Sequence, residues 1–220
     1  MPKTKNISEV SIHYVVAYFA YLFIGWGFYR LLFQFPEEVE EGIIKPIVWL
    51  LPLFAIVFQK EKQNLASLGI TFKNLFPSIY MALALGAVFV IEGLIINFFK
   101  YGNLSFNANV GDKLITISLL ISFLTAISEE ISFRGYIFAR LAMFFNNEIL
   151  ANLISTCLWT LIHVPITIFV LKTDMPTSIV YLSLVFIFGL GSSFIFARSK
   201  NIASSVFLHI LWQWPIILFR

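Results

Sequence analysis

Long apolar runs separated by short polar segments dominate the hydropathy pattern of this 220-residue chain. Apolar runs of about 18 or more residues are long enough to cross a bilayer as helices. The pattern predicts about seven spanning helices; because the second and seventh runs are short, six or eight are also compatible with it. The predicted spans are 13–34, 43–59, 77–99, 114–133, 149–171, 178–197 and 202–219.

Composition supports a membrane protein and excludes a soluble domain, since 59% of the residues are hydrophobic and only 12% are charged. The first run is too long for a signal-peptide core and has no small-residue cleavage site after it, so we expect a retained helix. No linker or internal repeat divides the chain. The predicted fold is an all-α polytopic membrane helix bundle, with residues 1–220 as one integral membrane domain. The single cysteine, Cys157, excludes an internal disulfide and is expected to be a small core residue.

The distribution of charge predicts the orientation. Lysines and arginines gather on the side of the N-terminus, which favours a cytoplasmic N-terminus in a prokaryotic plasma membrane. The acidic run 36–41 and Asp112 lie on the opposite side, and we interpret that run as a solvated connector. Segments 60–77 and 135–147 are predicted to lie on the cytoplasmic surface of the membrane. The sequence contains no stripe of basic residues interleaved with aromatic residues, so it does not predict a nucleic-acid partner. The cations on the N-terminal side are Lys3, Lys5, Lys60, Lys62, Lys73, Arg134, Arg140, Arg198 and Lys200.

A few ionisable residues fall inside the apolar runs, where each costs roughly 2.5–3.5 kcal/mol on insertion scales. Glu130 and Arg134 are four residues apart and share a helix face, so we expect them to form a structural ion pair. Glu129 is rotated by about 100° from Glu130 and is left available for chemistry. Glu92 is expected to be a packing or snorkelling residue or a pocket wall, and its role stays unassigned.

Two histidines occupy later runs. His163 follows Trp159 by one helical turn, and Pro165 can bend the helix beside it. His209 is four residues before Gln213, so an imidazole and an amide share one face.

If the fourth, fifth and seventh spans pack together, these side chains meet in one buried pocket. A glutamate and a histidine can take a proton from water, while a second histidine and an amide stabilise an oxyanion. Alternatively Glu129, His163 and His209 could ligate a divalent metal such as zinc, with one position open to water. Both arrangements predict hydrolysis of an amide bond.

Residues of about 110–219 resemble the CPBP intramembrane proteases, also called the Abi or CAAX prenyl protease 2 and lysostaphin-resistance-protein-A-like family. The shared motifs are Glu-Glu-x-x-x-Arg followed by Gly135, an aromatic-x-x-x-His ending at His163, and His-x-x-x-Asn, here ending in Gln213. Gln213 departs from the family pattern because it keeps the amide but adds a methylene.

The resemblance implies a membrane-embedded endopeptidase acting on a peptide or membrane-protein substrate. Glu129 would be the general base with His163 as its partner, and His209 with Gln213 would form the oxyanion site. Glu130, Arg134 and Trp159 would give structural support. The family is described both as metal-dependent and as glutamate-based. We favour the metal-free mechanism because an amide is a poor zinc ligand.

Two other functions are weighed. A non-catalytic membrane scaffold or bacteriocin-immunity protein with a degenerate site would account for Gln213. A proton-coupled transporter would also use buried glutamate and histidine, but it favours internal repeats with interrupted helices.

Overall fold

A computed structural model describes residues 7–33, 35–108 and 114–219 of the chain. Within these ranges the fold is entirely helical, which confirms the predicted all-α bundle. The structure does not describe residues 1–6, 34, 109–113 and 220. The predictions that concern Lys3, Lys5, Asp112 and the start of the motif-bearing core at residue 110 therefore lie outside the described residues. The described helices are α1 (Ile12–Leu32, with a helical backbone from Ile7), α2 (Glu37–Lys60), α3 (Leu75–Tyr101), α4 (Ile115–Phe145), α5 (Glu148–Leu171), α6 (Met175–Ser199) and α7 (Ile202–Leu218).

Helices α1 to α6 are long and apolar enough to cross a membrane, and α7 is a shorter apolar helix. The chain is therefore an integral membrane protein. Because each helix crosses the bundle in the direction opposite to the one before it, α1, α3 and α5 end at one end of the bundle. The α2–α3, α4–α5 and α6–α7 connections share the other end.

Helix α4 runs further than the sequence pattern predicts. The predicted span ends at residue 133, yet the helix continues to Phe145, and its π-helical stretch Ile131–Phe138 is buried throughout. The prediction of a surface-lying element over 135–147 is therefore wrong. The reason is that the two arginines of this stretch have internal partners, because Arg134 pairs with Glu130 and Arg140 pairs with Glu61.

Helix α7, which carries His209, packs closely along α3. A Cβ atom built at Gly86 would lie 2.3 Å from Leu211 Cδ1, and one at Gly93 would lie 3.0 Å from Pro215 Cβ. The Asn97 side chain donates to the Pro215 carbonyl at 2.9 Å. The pair is thus in backbone contact over several turns, which fixes α7 within the bundle.

Helix α6 lies against α5 and α3 through two glycines, Gly189 and Gly191. A Cβ at Gly189 would lie 2.8 Å from Thr156 Cγ2, and one at Gly191 would lie 3.2 Å from the Phe89 ring. Cys157, on α5, is exposed on the outside of the bundle, so its predicted place in the core is wrong.

Candidate active site

A cavity of about 670 Å³ lies inside the bundle, between α1, α2 and α4 to α7. The structure brings all four predicted catalytic side chains to its wall, although they come from three different helices. These side chains are Glu129 from α4, His163 from α5, and His209 and Gln213 from α7.

Glu129 is only 6% exposed and faces two partners. Its Oε1 atom accepts a hydrogen bond from Lys45 Nζ of α2, and Lys45 is itself only 3% exposed. Its Oε2 atom lies 3.9 Å from His209 Nε2. One carboxylate oxygen is therefore held by an ammonium group, and the other is directed towards the imidazole across the cavity.

The tautomer of His163 follows from its backbone contact. Its Nδ1 atom lies 2.8 Å from the Trp159 carbonyl oxygen, one turn earlier in α5. Because a carbonyl can only accept, Nδ1 carries the hydrogen, and in the neutral ring Nε2 is left with a free lone pair. The Trp159 ring lies edge-on against the His163 ring, with 4.5 Å between ring centroids. His163 is thus oriented with a proton acceptor available at the cavity.

Glu130 does more than hold Arg134. Arg134 Nη1 lies 3.2 Å from Glu130 Oε1, as the helical spacing indicates. The same oxygen is 2.7 Å from His209 Nδ1, and Ser192 Oγ donates to Glu130 Oε2 at 2.7 Å. Glu130 is fully buried, and its two oxygens are satisfied by these three groups. It fixes the His209 ring with Nε2 directed towards Glu129.

The Arg134 guanidinium group also contacts Trp159 and Gly189. The guanidinium group lies over the Trp159 ring at 4.5 Å from its centroid, and Nη2 donates to the Gly189 carbonyl at 3.4 Å. A Cβ at Gly189 would lie 3.1 Å from Trp159 Cδ1 and 3.4 Å from Arg134 Nη2. Any larger residue there would push against both groups.

Gln213 lines the cavity with its amide unused. Its Oε1 atom is buried and has no hydrogen-bond partner within the ranges the structure describes. A buried amide without a partner is costly, by about 1–3 kcal/mol. The amide oxygen is therefore available to a hydrogen-bond donor of a bound molecule.

Residues 111–215 match the family model described as type II CAAX prenyl endopeptidase, Rce1-like. This part of the chain is therefore similar to the Rce1-like family. The resemblance drawn from the motifs is confirmed, and the match supports a membrane-embedded endopeptidase at the level of the family. No curated protein and no solved structure matches the chain.

The Rce1-like domain does not build the cavity alone. Helices α1 and α2, which precede the matched residues, supply a buried network of charges that the sequence analysis missed. Arg30 donates to Glu40 and Glu41, and Lys45 Nζ donates to Glu41 Oε2 at 2.8 Å as well as to Glu129. Thr125 Oγ1 of α4 also donates to Glu41 Oε2 at 3.0 Å.

This network corrects the interpretation of the acidic run 36–41 as a solvated connector. Glu40 and Glu41 are only 5% and 8% exposed and lie within helix α2. The signal that could have found them is the i, i+4 spacing of Glu41 and Lys45 where the second apolar run begins.

The metal alternative does not fit the Rce1-like site as it is built. Within the described part of the chain, no group of three or more histidine, cysteine, aspartate and glutamate side chains is arranged to hold a metal ion. The cationic partner of Glu129 is instead the Lys45 ammonium group. We therefore derive no catalytic step through a metal.

Proposed function

We propose that this Rce1-like protein hydrolyses peptide bonds within the membrane with a water molecule activated by Glu129 and His163. The observation that carries the proposal is the shared cavity, where a carboxylate, two imidazoles and an amide converge. These are the groups that metal-free amide hydrolysis needs.

Glu129 and His163 are the two hydrogen-bond acceptors that would activate the water. The Glu129 carboxylate is paired with the Lys45 ammonium group through its Oε1 atom. Its Oε2 atom and His163 Nε2 both have lone pairs that face the cavity, so a water bound there is oriented and loses a proton to Glu129 as it attacks the carbonyl carbon. The proton on Glu129 is then given to the leaving amine when the C–N bond breaks, which returns Glu129 to its starting state.

The second half of the site stabilises the tetrahedral intermediate. Because His209 Nδ1–H donates to Glu130, Nε2 can donate to an oxyanion only when the ring is an imidazolium. The Gln213 amide supplies a second donor. Glu130 is thus a positioning residue, because it acts on the reaction through His209.

The lining of the cavity favours an apolar polypeptide as the substrate. Aliphatic side chains of α5 and α7, among them Ile166, Val170 and Ile216, surround the polar groups. The protein therefore suits a membrane-proximal segment of a peptide or membrane protein.

Paired variants test the assignment. Full-length protein in liposomes is incubated with a set of single-span peptides, and the cleavage products are identified by mass spectrometry. We expect Glu129→Gln and His163→Ala to lower the rate by about 10²–10⁴-fold, the usual contribution of a general base. The matched control is Glu148→Gln, which alters an exposed glutamate bound to Arg198 and Lys200. Cleavage at the control rate in both site variants would overturn the mechanism.

A further inference from the structure

A tyrosine without an assigned role lies on the cavity wall beside the proposed catalytic residues. Tyr181 belongs to α6, and among the described residues of that helix it alone lines the cavity. Its ring centroid is 6.2 Å from that of the His163 ring, and the two ring planes make an angle of 56°. Tyr181 is therefore a neighbour of the histidine that the proposed mechanism places at the attacking water.

The depth of Tyr181 in the bundle follows from the way α5 and α6 are joined. Helix α5 ends at Leu171, eight residues after His163, and α6 begins at Met175, six residues before Tyr181. At 1.5 Å per residue, His163 and Tyr181 lie about 12 Å and about 9 Å from this connection. Because the two helices run in opposite directions, both side chains lie at nearly the same level of the cavity.

The Tyr181 hydroxyl is free to bind another molecule. Within the part of the chain that the structure describes, no hydrogen bond involves this hydroxyl. The charged groups that act on it are the Glu129 and Glu41 carboxylates, which line the same cavity. A tyrosine hydroxyl ionises only near about pH 10, so Tyr181 carries its hydrogen at neutral pH. The cavity wall thus holds a neutral O–H donor that the described side chains leave unused.

The proposed oxyanion site has need of a neutral donor. His209 Nδ1 lies 2.7 Å from a Glu130 oxygen, so Nε2 of the neutral ring accepts and does not donate. The amide nitrogen of Gln213 supplies one neutral donor. A tyrosine O–H supplies another, and it can donate throughout the reaction without any change in protonation.

We propose that Tyr181 is a further catalytic residue, whose hydroxyl donates a hydrogen bond to the scissile carbonyl oxygen as that oxygen becomes an oxyanion. The inference rests on the proposed function, because it assigns a residue to the same hydrolysis. The Tyr181 O–H bond stays intact while water adds to the carbonyl carbon, and the hydrogen bond stabilises the negative charge that develops on the oxygen. Because the carbonyl oxygen of the bound substrate carries less charge, the hydroxyl acts on kcat more than on KM.

The substitution Tyr181→Phe removes the hydroxyl and keeps the ring beside His163. With full-length protein in liposomes and a single-span peptide that it cleaves, we expect kcat to fall by about 10²–10³-fold, the usual loss for one oxyanion donor, and KM to stay within about twofold. The matched control is Tyr80→Phe, which makes the same change at an exposed position of α3 and is expected to keep the original rate. An unchanged kcat, or a change in KM alone, would overturn the proposal.

A second series keeps the hydroxyl and changes only its acidity. Fluorotyrosines of increasing acidity are incorporated at position 181, and cleavage is measured at a pH where each phenol is still protonated. A more acidic O–H is a stronger donor, so kcat is expected to rise along the series; a flat or falling series would overturn the proposal even if Tyr181→Phe fails to fold. Failure here is distinguishable from failure of the proposed function. Normal cleavage by Tyr181→Phe with none by Glu129→Gln refutes only this inference, whereas normal cleavage by Glu129→Gln refutes the proposed function.

Discussion

The ion pair between Lys45 and Glu129 makes the sharpest prediction about this protein. Lys45→Met removes the ammonium group while keeping a linear side chain of similar length. The change leaves Glu129 without a cation, because its other near neighbour is His209 at 3.9 Å. It also removes one of the two cations that hold Glu41, which keeps Arg30.

The magnitude follows from burial. Lys45 and Glu129 are 3% and 6% exposed, and the Lys45 Nζ atom lies 5.1 Å from the Trp49 ring centroid and 5.9 Å from that of Trp26. Removing one partner of such a pair costs about 3–5 kcal/mol. The unpaired carboxylate either destabilises the fold by that amount or takes up a proton. A protonated Glu129 cannot accept one from water, so the cleavage rate then falls with the fraction of Glu129 that is protonated.

The assay combines cleavage rate with reversible unfolding in detergent micelles. We expect Lys45→Met to lose stability by this amount, cleavage or both, and to lose much less stability in a Glu129→Gln background, where no carboxylate is stranded. The matched control is Lys200→Met, because Lys200 is exposed and its 3.0 Å pair with Glu148 is a surface salt bridge of about 0–1 kcal/mol. A Lys45→Met protein with the stability and cleavage rate of the control would refute the reasoning.

The other predictions use single substitutions or additives. Glu130→Gln should lower the unfolding free energy by about 3–5 kcal/mol, more than Glu129→Gln does, because Arg134 keeps only the Gly189 carbonyl whereas Lys45 keeps Glu41; equal losses would contradict this. Gln213→Ala should lower kcat by about 10²–10³-fold with little change in KM, measured by steady-state cleavage, and an effect on KM alone would make Gln213 a binding residue. Cleavage should survive 1,10-phenanthroline, and inhibition reversed by added zinc would restore the metal mechanism. The Thr177 backbone and hydroxyl donate to Asp174 and hold its pKa below the ordinary value, so its contribution to stability is present above about pH 4 and is lost as the pH falls through the lowered pKa. Asp174→Ala should remove that acid-dependent step from unfolding curves recorded at successive pH values.

The sequence predicts the helices well because hydrocarbon thickness imposes one length on every span. The predicted span 149–171 lies inside α5 at Glu148–Leu171, and 202–219 differs from α7 by one residue at its end. The pattern fails where charge is neutralised inside the protein. Arg134 and Arg140 look like the edge of the membrane, yet both are buried with glutamate partners, and so the end of α4 was placed twelve residues too early.

The site could be predicted only as far as its members share a helix or a motif. Spacing of four residues relates Glu130 to Arg134 and His209 to Gln213. Lys45 and Glu129 are 84 residues apart on helices whose mutual rotation no local pattern determines. Their pairing arises from the packing of α2 against α4, so it required the structure.

The structure therefore changes the roles that spacing alone assigns to the adjacent carboxylates Glu129 and Glu130. By spacing alone, Glu130 is a structural anchor and Glu129 is a free base. In the structure each carboxylate has a cation, Arg134 for Glu130 and Lys45 for Glu129, and each is directed at the same histidine from opposite ring nitrogens. What separates them is access: Glu129 lines the cavity, and Glu130 is fully buried behind His209. Loss of cleavage on substitution cannot by itself distinguish the base from its neighbour, because both act on His209. A variant of Glu130 should disturb stability together with the rate, whereas Glu129→Gln, which keeps Lys45 paired with Glu41, should disturb chiefly the rate.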